Sequence, residues 1–483
     1  MIMRKLYFLL SLLWCVCGCV GKRAQVNEVE DYPRIFPDYR EVTIPVNIAP
    51  LNFKMEGADQ IEVEFRKGED LLYTCKGREK IDIPLKKWKH MLETCKGEDL
   101  FVKVFVYDQD QWLGFKPFPV HVVTDSIDPY LAYRLIEPGY ELGKRLALFQ
   151  RELSTFEEKA FVPAALVENS CVNCHAFCNY SPDRFMFHIR WDKAGTVIVE
   201  PGKVQKINTK TDRVIAPGAY RMWHPSGKYI AFSNNKTHQA FHALQEKKIE
   251  VYDLASDLMI YDVVHNRVLT DSRFTESKVW ETFPAWSPDG KYLYFCQALS
   301  QNMPMGYQKL KYRLYRVAFD EQTGILADSI EKITIPDEEL KSVSFPSVSP
   351  DGRYVLYTVA RSGTFPVHHK DADLEMLDLN TGLPVDIEVL NSRFCESYHA
   401  WSSSGRWIVF SSRRMDNLYT YTYFAYFDRN GKAGKPFILP QRDPDYYVTG
   451  LKSFNIPEFI KGPVRVSPYE LEKVIHGKAE NAL

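Results

Sequence analysis

The stretch WSPDGKYLYFCQA (286–298) decides the fold, because the chain repeats it. The other copies are WHPSGKYIAFSNN (223–235), VSPDGRYVLYTVA (348–360) and WSSSGRWIVFSSR (401–413). In each copy a turn precedes a strand of alternating aromatic and aliphatic residues, and the glycine of that turn supplies a positive φ. The repeats therefore predict a series of hairpins of one kind.

The spacing of the repeats predicts a β-propeller. The turn glycines lie at 227, 290, 352 and 405, so 63, 62 and 53 residues separate them. A strand-based period of this length corresponds to one propeller blade per repeat. A weaker copy, WDKAGTVIVEP (191–201), places Gly195 at the equivalent position, and residues 421–440 offer a further blade. We expect a mainly β chain with five or six blades over residues 181–460.

The regions on either side of the repeats differ in character. Residues 31–125 contain short alternating runs, among them QIEVEFRKG (60–68) and KIDIPLKKW (80–88), which predict an immunoglobulin-like β-sandwich. Residues 126–180 are expected to form a helical linker, because apolar residues of YELGKRLALFQREL (140–153) recur at helical spacing. These residues are Leu142, Leu146, Phe149 and Leu153, and a capping box is expected at Ser154 and Glu157. Residues 461–483 are expected to be a C-terminal tail.

The N-terminus has the pattern of an export signal. Arg4 and Lys5 precede a short apolar run, and VCGC (16–19) is similar to the bacterial lipoprotein cleavage box. We expect a lipoprotein signal peptide at 1–18, lipidation of Cys19 and a tether over 19–30, since several acyl chains anchor a protein stably. An ordinary signal peptide is the alternative. The residues after Cys19 carry no acidic run, which favours an outer-membrane lipoprotein that faces the periplasm.

Composition excludes two classes of function. The 483 residues carry 61 Lys and Arg against 62 Asp and Glu, so the formal net charge of −1 gives no basic field for a nucleic acid. The chain also has no G-x-S-x-G elbow of an α/β-hydrolase. Of its ten cysteines, seven follow Cys19. In an exported protein Cys75 and Cys95 could pair, and the odd count leaves at least one cysteine outside any intramolecular disulfide.

The sequence CVNCH (171–175) matches the attachment signature of c-type haem. In this chemistry Cys171 and Cys174 would bind the two vinyl groups, and His175 would be the proximal iron ligand. We therefore expect one covalent haem c. A disulfide between Cys171 and Cys174, or one that involves Cys178, is the main alternative. A zinc site lacks a second ligand pair, and a thioredoxin-like pair lacks a βαβ context.

Four residues are candidates for the distal haem ligand. They are Met186, His188, Met222 and His242. Met186 and His188 are two residues apart on a predicted strand, so they share one face. A distal methionine would raise the reduction potential and a histidine would lower it. An open sixth position is the remaining possibility.

The signature S-P-D-G-[K/R]-aromatic-aliphatic resembles that of TolB-type, WD-repeat-like β-propellers over roughly residues 181–460. That resemblance implies a fold and is nearly silent on activity. The signal, TIPVNIAPLNF (43–53), the linker, SCVNCHAFC (170–178) and the propeller together resemble envelope proteins of Bacteroidetes type that are labelled TolB-like or cytochrome-c-related.

Two functions are compatible with these patterns. The first is a membrane-anchored monohaem c-type cytochrome whose propeller docks a redox or envelope protein partner, with electron transfer rather than catalysis as its role. The second is a non-catalytic propeller lipoprotein that serves as a binding scaffold, with Cys171 and Cys174 in a structural disulfide.

Overall fold

The computed structural model describes residues 26–137, 146–168, 170–241 and 249–483. Within them the chain is mainly β, and its strands pair into seven sheets. One sheet forms an N-terminal domain, and the other six form the β-propeller and are called propeller sheets 1 to 6. The predicted signal peptide, Cys19 and the distal candidate His242 lie outside the described residues.

The N-terminal domain is built on one connected sheet. Its strands are β1 (Val26–Val29), β2 (Thr43–Pro45), β3 (Gln60–Lys67), β4 (Asp70–Gly77), β5 (Asp99–Asp108), β6 (Gln111–Phe115) and β7 (Phe118–Val123). Strand β5 pairs with β7 through its first half and with β6 through its second half, so the sheet divides there. This division lets the two parts enclose a common core.

A helix replaces the strand expected at residues 80–88. Helix α1 (Leu85–Thr94) buries Trp88, Met91 and Leu92, which lie three and four residues apart on one face. The strand prediction there was wrong because the window ended at Trp88 and so missed this helical spacing.

The propeller sheets share one antiparallel order, from an inner strand at the central channel to an outer strand at the rim. Sheet 1 contains β8 (Tyr130–Ile136), β9 (Ala147–Glu152) and β10 (Glu158–Val162), and sheet 2 contains β11 (Cys171–Phe177), β12 (Phe185–Arg190), β13 (Gly195–Glu200) and β14 (Lys203–Asn208). Sheet 3 contains β15 (Ala219–Trp223), β16 (Tyr229–Phe241), β17 (Ile249–Asp262) and β18 (Arg267–Leu269). Sheet 4 contains β19 (Val279–Trp286), β20 (Tyr292–Leu299), β21 (Arg313–Asp320) and β22 (Ile325–Ile333). Sheet 5 contains β23 (Ser342–Val348), β24 (Tyr354–Ala360), β25 (Asp373–Asp378) and β26 (Leu383–Val385), and sheet 6 contains β27 (Glu396–Trp401), β28 (Trp407–Ser412), β29 (Tyr421–Tyr426) and β30 (Phe437–Ile438).

The inner strand of sheet 1 comes from the far end of the propeller. Strand β31 (Ser453–Ile460) pairs antiparallel with β8, with Phe459 opposite Leu131. The six inner strands contact one another in ring order, and β31 lies between β27 and β11. The ring is therefore closed by strands from both ends of the propeller.

The prediction of a helical linker at 126–180 was wrong. Residues 130–136, 147–152 and 158–162 form the three outer strands of sheet 1, and residues 171–177 form the inner strand of sheet 2. Strand β9 pairs with β8 and β10, its neighbours in sequence, and the distant strand β31 completes the sheet on β8. This pairing overrides the local helical spacing. The expected capping box is a turn, in which Ser154 Oγ donates to Glu152 Oε1 at 2.9 Å. The propeller thus begins near residue 130 instead of 181.

Two of the proposed repeats also fall elsewhere. Gly195 opens β13, one strand later than the other turn glycines, and the equivalent turn is Ser181-Pro182-Asp183-Arg184 before β12. Residues 421–440 supply the outer strands β29 and β30 of sheet 6 rather than a separate blade.

The tryptophans that open the repeats tie neighbouring sheets together. Each donates its indole N–H to a main-chain carbonyl on the preceding inner strand, at 3.2 Å in every case: Trp223 to Ala176, Trp286 to Met222, and Trp401 to Ser347. A tryptophan here buries a large apolar surface and satisfies its own donor.

The C-terminal residues are folded against the propeller. Two short helices, α2 (Ala164–Val167) and α3 (Tyr446–Thr449), occur within the propeller, and α4 (Pro468–His476) follows it. Leu471 and Ile475 of α4 are buried in one cluster with Val172 of β11. Strand β32 (Glu480–Asn481) pairs with β14 at the rim of sheet 2. None of the helices in the described parts of the chain is both long and apolar enough to cross a membrane.

Candidate functional site: the central channel

The C-x-x-C-H motif lies in β11, the inner strand of sheet 2. Cys171 pairs with Arg190 of β12, and Asn173 pairs with His188. The register then shifts before Ala176, and Cys174 within this bulge has φ +54°. A bulge leaves extra chain on one strand and redirects its side chains.

All six inner strands carry the same bulge. The register shifts at equivalent places in β11, β15, β19, β23, β27 and β31. The residues at this position are Cys174, Tyr220, Phe283, Phe345, Tyr398 and Ile456. The aromatic members contact one another, with ring centroids 4.5 Å apart for Tyr220 and Phe283 and 4.6 Å apart for Phe345 and Tyr398. Cys174 is therefore the smallest side chain in a largely aromatic ring.

A cavity of about 690 Å³ occupies the channel, and its wall includes Cys171 and Cys174. This volume lies in the range of small-molecule and cofactor sites, ~300–1,000 Å³. The wall is formed mainly by the inner strands, so residues from every propeller sheet reach it. The motif thus contributes both thiols to one large chamber.

His175 is fully buried and has no hydrogen-bond partner at either ring nitrogen. Its Nε2 lies 3.8 Å from Glu458 Oε2, and the Ile456 carbonyl approaches the ring without hydrogen-bond geometry. Burial, with Arg221 and Arg134 nearby, lowers the pKa of His175 well below its usual value. The imidazole is therefore neutral and keeps a free lone pair, the state in which it ligates a metal.

Glu458 is the carboxyl group nearest to His175. Burial raises the pKa of Glu458 to about 7, although Arg221 opposes this shift. Its Oε1 accepts the main-chain N–H of Phe177 at 2.9 Å. That hydrogen bond holds β31 against β11 beside the motif.

The donor set fits a c-type haem in its chemistry. Both thiols are free, line the channel and adjoin a neutral imidazole. The alternative disulfide between Cys171 and Cys174 is not formed in the structure. The ring of His175 has no exposed surface, so a haem iron must displace the side chains that cover it.

Neither a disulfide through Cys178 nor a metal-ligand cluster is present in the described part of the chain. Cys178 is a buried free thiol, as are Cys75 and Cys95. Among the described residues, no group of three or more His, Cys, Asp or Glu side chains could hold a metal ion.

The distal candidates lie in different places. Met222 lines the channel, and 38% of its side chain is exposed. Met186 is fully buried in a core cluster with Trp223. His188 is also buried, its Nδ1 lies 3.1 Å from Thr196 Oγ1, and burial lowers its pKa to about 3. Of the described candidates, Met222 is the one on the channel wall.

Two channel histidines were missed from the sequence. His399 lies one residue after the bulge of β27 and donates from Nε2 to the Leu356 carbonyl at 3.1 Å. His368 accepts at Nδ1 from Arg413 at 2.9 Å. Alignment of SYHAW (397–401) with AYRMW (219–223) puts His399 at the place of Arg221 and could have found it. No local pattern marks His368.

No family model matches this chain, and no curated protein matches it. Among solved structures, it is similar to prolyl endopeptidases, at 12% identity and a TM-score of 0.32 over 72% of this chain and 50% of that one. It is also similar to the propeller domain of the trilobed protease from Pyrococcus furiosus, at 10% identity and a TM-score of 0.32 over 70% of this chain and 81% of that one. For Kuenenia stuttgartiensis hydrazine synthase the identity is 11% and the TM-score 0.36, over 66% of this chain and 48% of that one. The chain spans about half the length of the first of these. Because every TM-score is below 0.5, the propeller assignment depends on the strand pairing described above.

Proposed function

We propose that this chain is a c-type monohaem cytochrome that holds one haem in the central channel and exchanges electrons with a protein partner. The observation that carries the proposal is the placement of both motif thiols, Cys171 and Cys174, on the wall of a cavity of about 690 Å³. The neutral, unpartnered imidazole of His175 beside them supports it.

Each part of the channel has a role in this proposal. Cys171 and Cys174 would hold the porphyrin through thioethers, and His175 would bind the iron. The aromatic ring residues of the inner strands would cover the porphyrin and exclude water from it. When bound, the haem supplies a one-electron redox centre, and the protein supplies its position and surroundings.

The cellular setting is also a proposal. A lipid anchor at Cys19 would hold the protein at the outer membrane facing the periplasm, where c-type haem is attached and thiols meet an oxidising environment. The turn signature supports kinship with TolB-type propellers. The outer surface of the propeller would dock the redox partner.

Covalent haem is the test of this function. We expect protein made with cytochrome c maturation machinery to stain for haem peroxidase activity and to keep its Soret band through acid–acetone extraction. Cys171→Ala combined with Cys174→Ala should lose both signals. Cys178→Ala is the matched control, because that thiol is buried and follows the motif directly. Unmodified thiols at 171 and 174 in protein from the native host would refute the proposal.

The enclosure of His175 favours a second candidate function. A fully buried imidazole is compatible with a propeller that binds a partner or a small ligand without haem. In that case the native protein carries no haem, the thiols react with an alkylating reagent, and the channel remains a binding chamber.

A further inference from the structure

The channel wall has an excess of positive charge. Among its described residues it carries the cations Arg134, Arg190, Arg221 and Lys461 and a single carboxyl group, Glu458. A cleft with low-dielectric walls and charges of one sign concentrates ions of the opposite charge from solution. An anion therefore gains free energy on entering the chamber.

Three of these cations cluster beside the motif. Arg190 lies opposite Cys171 in the strand register. Arg134 and Arg221, together with Arg190 and Cys174, all lie close enough to Tyr398 to act on its pKa, which burial raises. The three arginines thus line the cavity in the neighbourhood of Tyr398 and Cys174.

The acidic group closest to these arginines is not ion-paired with them: Glu458 lies near enough to Arg221 for the guanidinium group to oppose the rise of its pKa. Within the described part of the chain, none of the three forms an ion pair. Arg134 Nη2 donates to Asn455 Oδ1 at 3.3 Å, while the Nε atoms of Arg134 and Arg221 are buried without a partner. Arg134 and Arg221 are half-buried and Arg190 is exposed. Their unpartnered donors are therefore available to an incoming acceptor.

A series of aromatic side chains lines the same chamber beside the arginines. The rings of Tyr220, Phe283, Phe345 and Tyr398 form a continuous series of contacts along it. Aromatic walls accept a flat or apolar body, and guanidinium groups accept carboxylates in a bidentate manner. The aromatic rings and the guanidinium groups together select an apolar ring system that carries carboxylates.

We propose that Arg134, Arg190 and Arg221 form a carboxylate-binding subsite of the channel, which takes an aromatic or macrocyclic carboxylic acid. Two sources share this chemistry. One is the pair of propionates on a channel haem, and that source rests on the proposed function. The other is a free aromatic carboxylate, which requires no haem.

The test uses full-length protein made without haem maturation, so that the channel is free. It is titrated with protoporphyrin IX, with its dimethyl ester, and with 1-naphthoate against 1-naphthalenemethanol. We expect each acid to bind at least tenfold more tightly than its uncharged analogue, since charge-assisted hydrogen bonds are stronger than neutral ones. The acid affinities should also fall as salt rises.

Single substitutions locate the subsite. Arg190→Gln and Arg221→Gln should each weaken binding of the acids by about 10-fold or more and leave the uncharged analogues unchanged. Arg361→Gln is the matched control, because that side chain is 89% exposed and is not part of the channel wall. The comparison of acid with ester on the wild-type protein needs no variant, so it holds even if a variant fails to fold.

The outcomes distinguish the carboxylate subsite from the proposed haem function. Equal binding of acid and neutral analogue, or acid binding that is unchanged in both arginine variants, overturns the carboxylate subsite even if the native protein carries haem. Arginine-dependent binding of naphthoate in a protein that never acquires haem supports the subsite with a free carboxylate as its ligand. Arginine-dependent binding of protoporphyrin alone supports the haem propionates as its ligand.

Discussion

A buried carboxyl group on β19 has an environment that disfavours its charge. Glu281 is fully buried, its Oε1 accepts from Gln297 Nε2 at 3.0 Å, and its Oε2 has no partner. Burial raises the pKa of Glu281 to about 8, against the opposing hydrogen bond from Gln297. At neutral pH this side chain is therefore largely protonated in the folded protein.

The raised pKa predicts a loss of stability with rising pH. The folded state keeps a proton on Glu281 that the unfolded chain releases above its ordinary pKa of 4.5. Stability contributed by this group is thus lost between about pH 4.5 and 8, since the unfolded state binds fewer protons there. Glu281→Gln should flatten the profile and gain roughly 1–3 kcal/mol relative to wild type at pH 8. Urea unfolding at several pH values measures this, with exposed Glu472→Gln as control. Parallel profiles for wild type and Glu281→Gln would contradict it.

The position of Met222 on the channel wall leads to a prediction about the reduction potential of a haem in the channel. Met222 lines the channel, whereas Met186 is enclosed in a core cluster. If the iron takes Met222 as its distal ligand, Met222→Leu should lower the reduction potential, because a methionine ligand raises it. Met186→Leu is the matched control. This exchange conserves side-chain volume and should change the free energy of unfolding by less than about 1.5 kcal/mol. Redox titration measures both, and an unchanged potential in Met222→Leu would exclude this ligand.

At the scale of the element, the inner strands define the channel. Each inner strand carries a bulge at the equivalent position, and one residue of each bulge lines the central channel. Strand β31 is distinct because it comes from beyond sheet 6 and completes sheet 1. The integrity of the ring therefore depends on the packing of this strand.

We expect one core substitution in strand β31 to lower the stability of the protein strongly. Phe459 is fully buried, and its ring centroid lies 6.0 Å from that of Phe424 in sheet 6. Phe459→Ala should lower the free energy of unfolding by about 3–5 kcal/mol, through lost burial and the cavity left behind. Phe241→Ala is the control, since that side chain is 74% exposed and its loss should change stability by no more than about 0.5 kcal/mol. Similar effects of the two substitutions in denaturant titrations would contradict the closure role of β31.

At the scale of the whole molecule, the N-terminal domain and the propeller share a core. One cluster contains Trp88 and Val104 of the domain together with Trp407 and Phe424 of sheet 6. Ion pairs reinforce this contact at the surface, among them Lys54 with Asp445 at 2.8 Å. A shared core of this kind makes the two parts unfold together.

A buried amide at this contact tests that cooperativity. Asn52 donates to the Arg442 carbonyl at 2.8 Å and accepts from the Ile83 N–H at 2.9 Å. Asn52→Ala leaves both main-chain groups unsatisfied and should cost about 1–3 kcal/mol. Exposed Asn27→Ala is the control. Fluorescence and far-UV circular dichroism should report one coincident transition that Asn52→Ala shifts as a whole. Two separate transitions, with only one shifted, would contradict a shared core.

The sequence alone determined the propeller, because its turn signature is local. The turn glycine of each repeat and the alternating strand after it lie within 13 residues, so one window contains the turn and the second strand of the hairpin. The tryptophan that opens three of the repeats is part of the same local signature, and it links neighbouring sheets. The C-x-x-C-H motif was likewise visible, and its thiols were identified before their surroundings were known.

Only the tertiary structure decided where that motif lies. The helix expected around Phe149 became strand β9, since its ladder partners are set by a sheet whose inner strand comes from residues 453–460. The same long-range closure moved Cys171 and Cys174 from a linker to the channel wall. It also gathered Arg134, Arg190 and Arg221, which come from three different strands, around one cavity. Local patterns fix hairpins, but a chamber is formed by pairing between distant segments, which no short window of sequence contains.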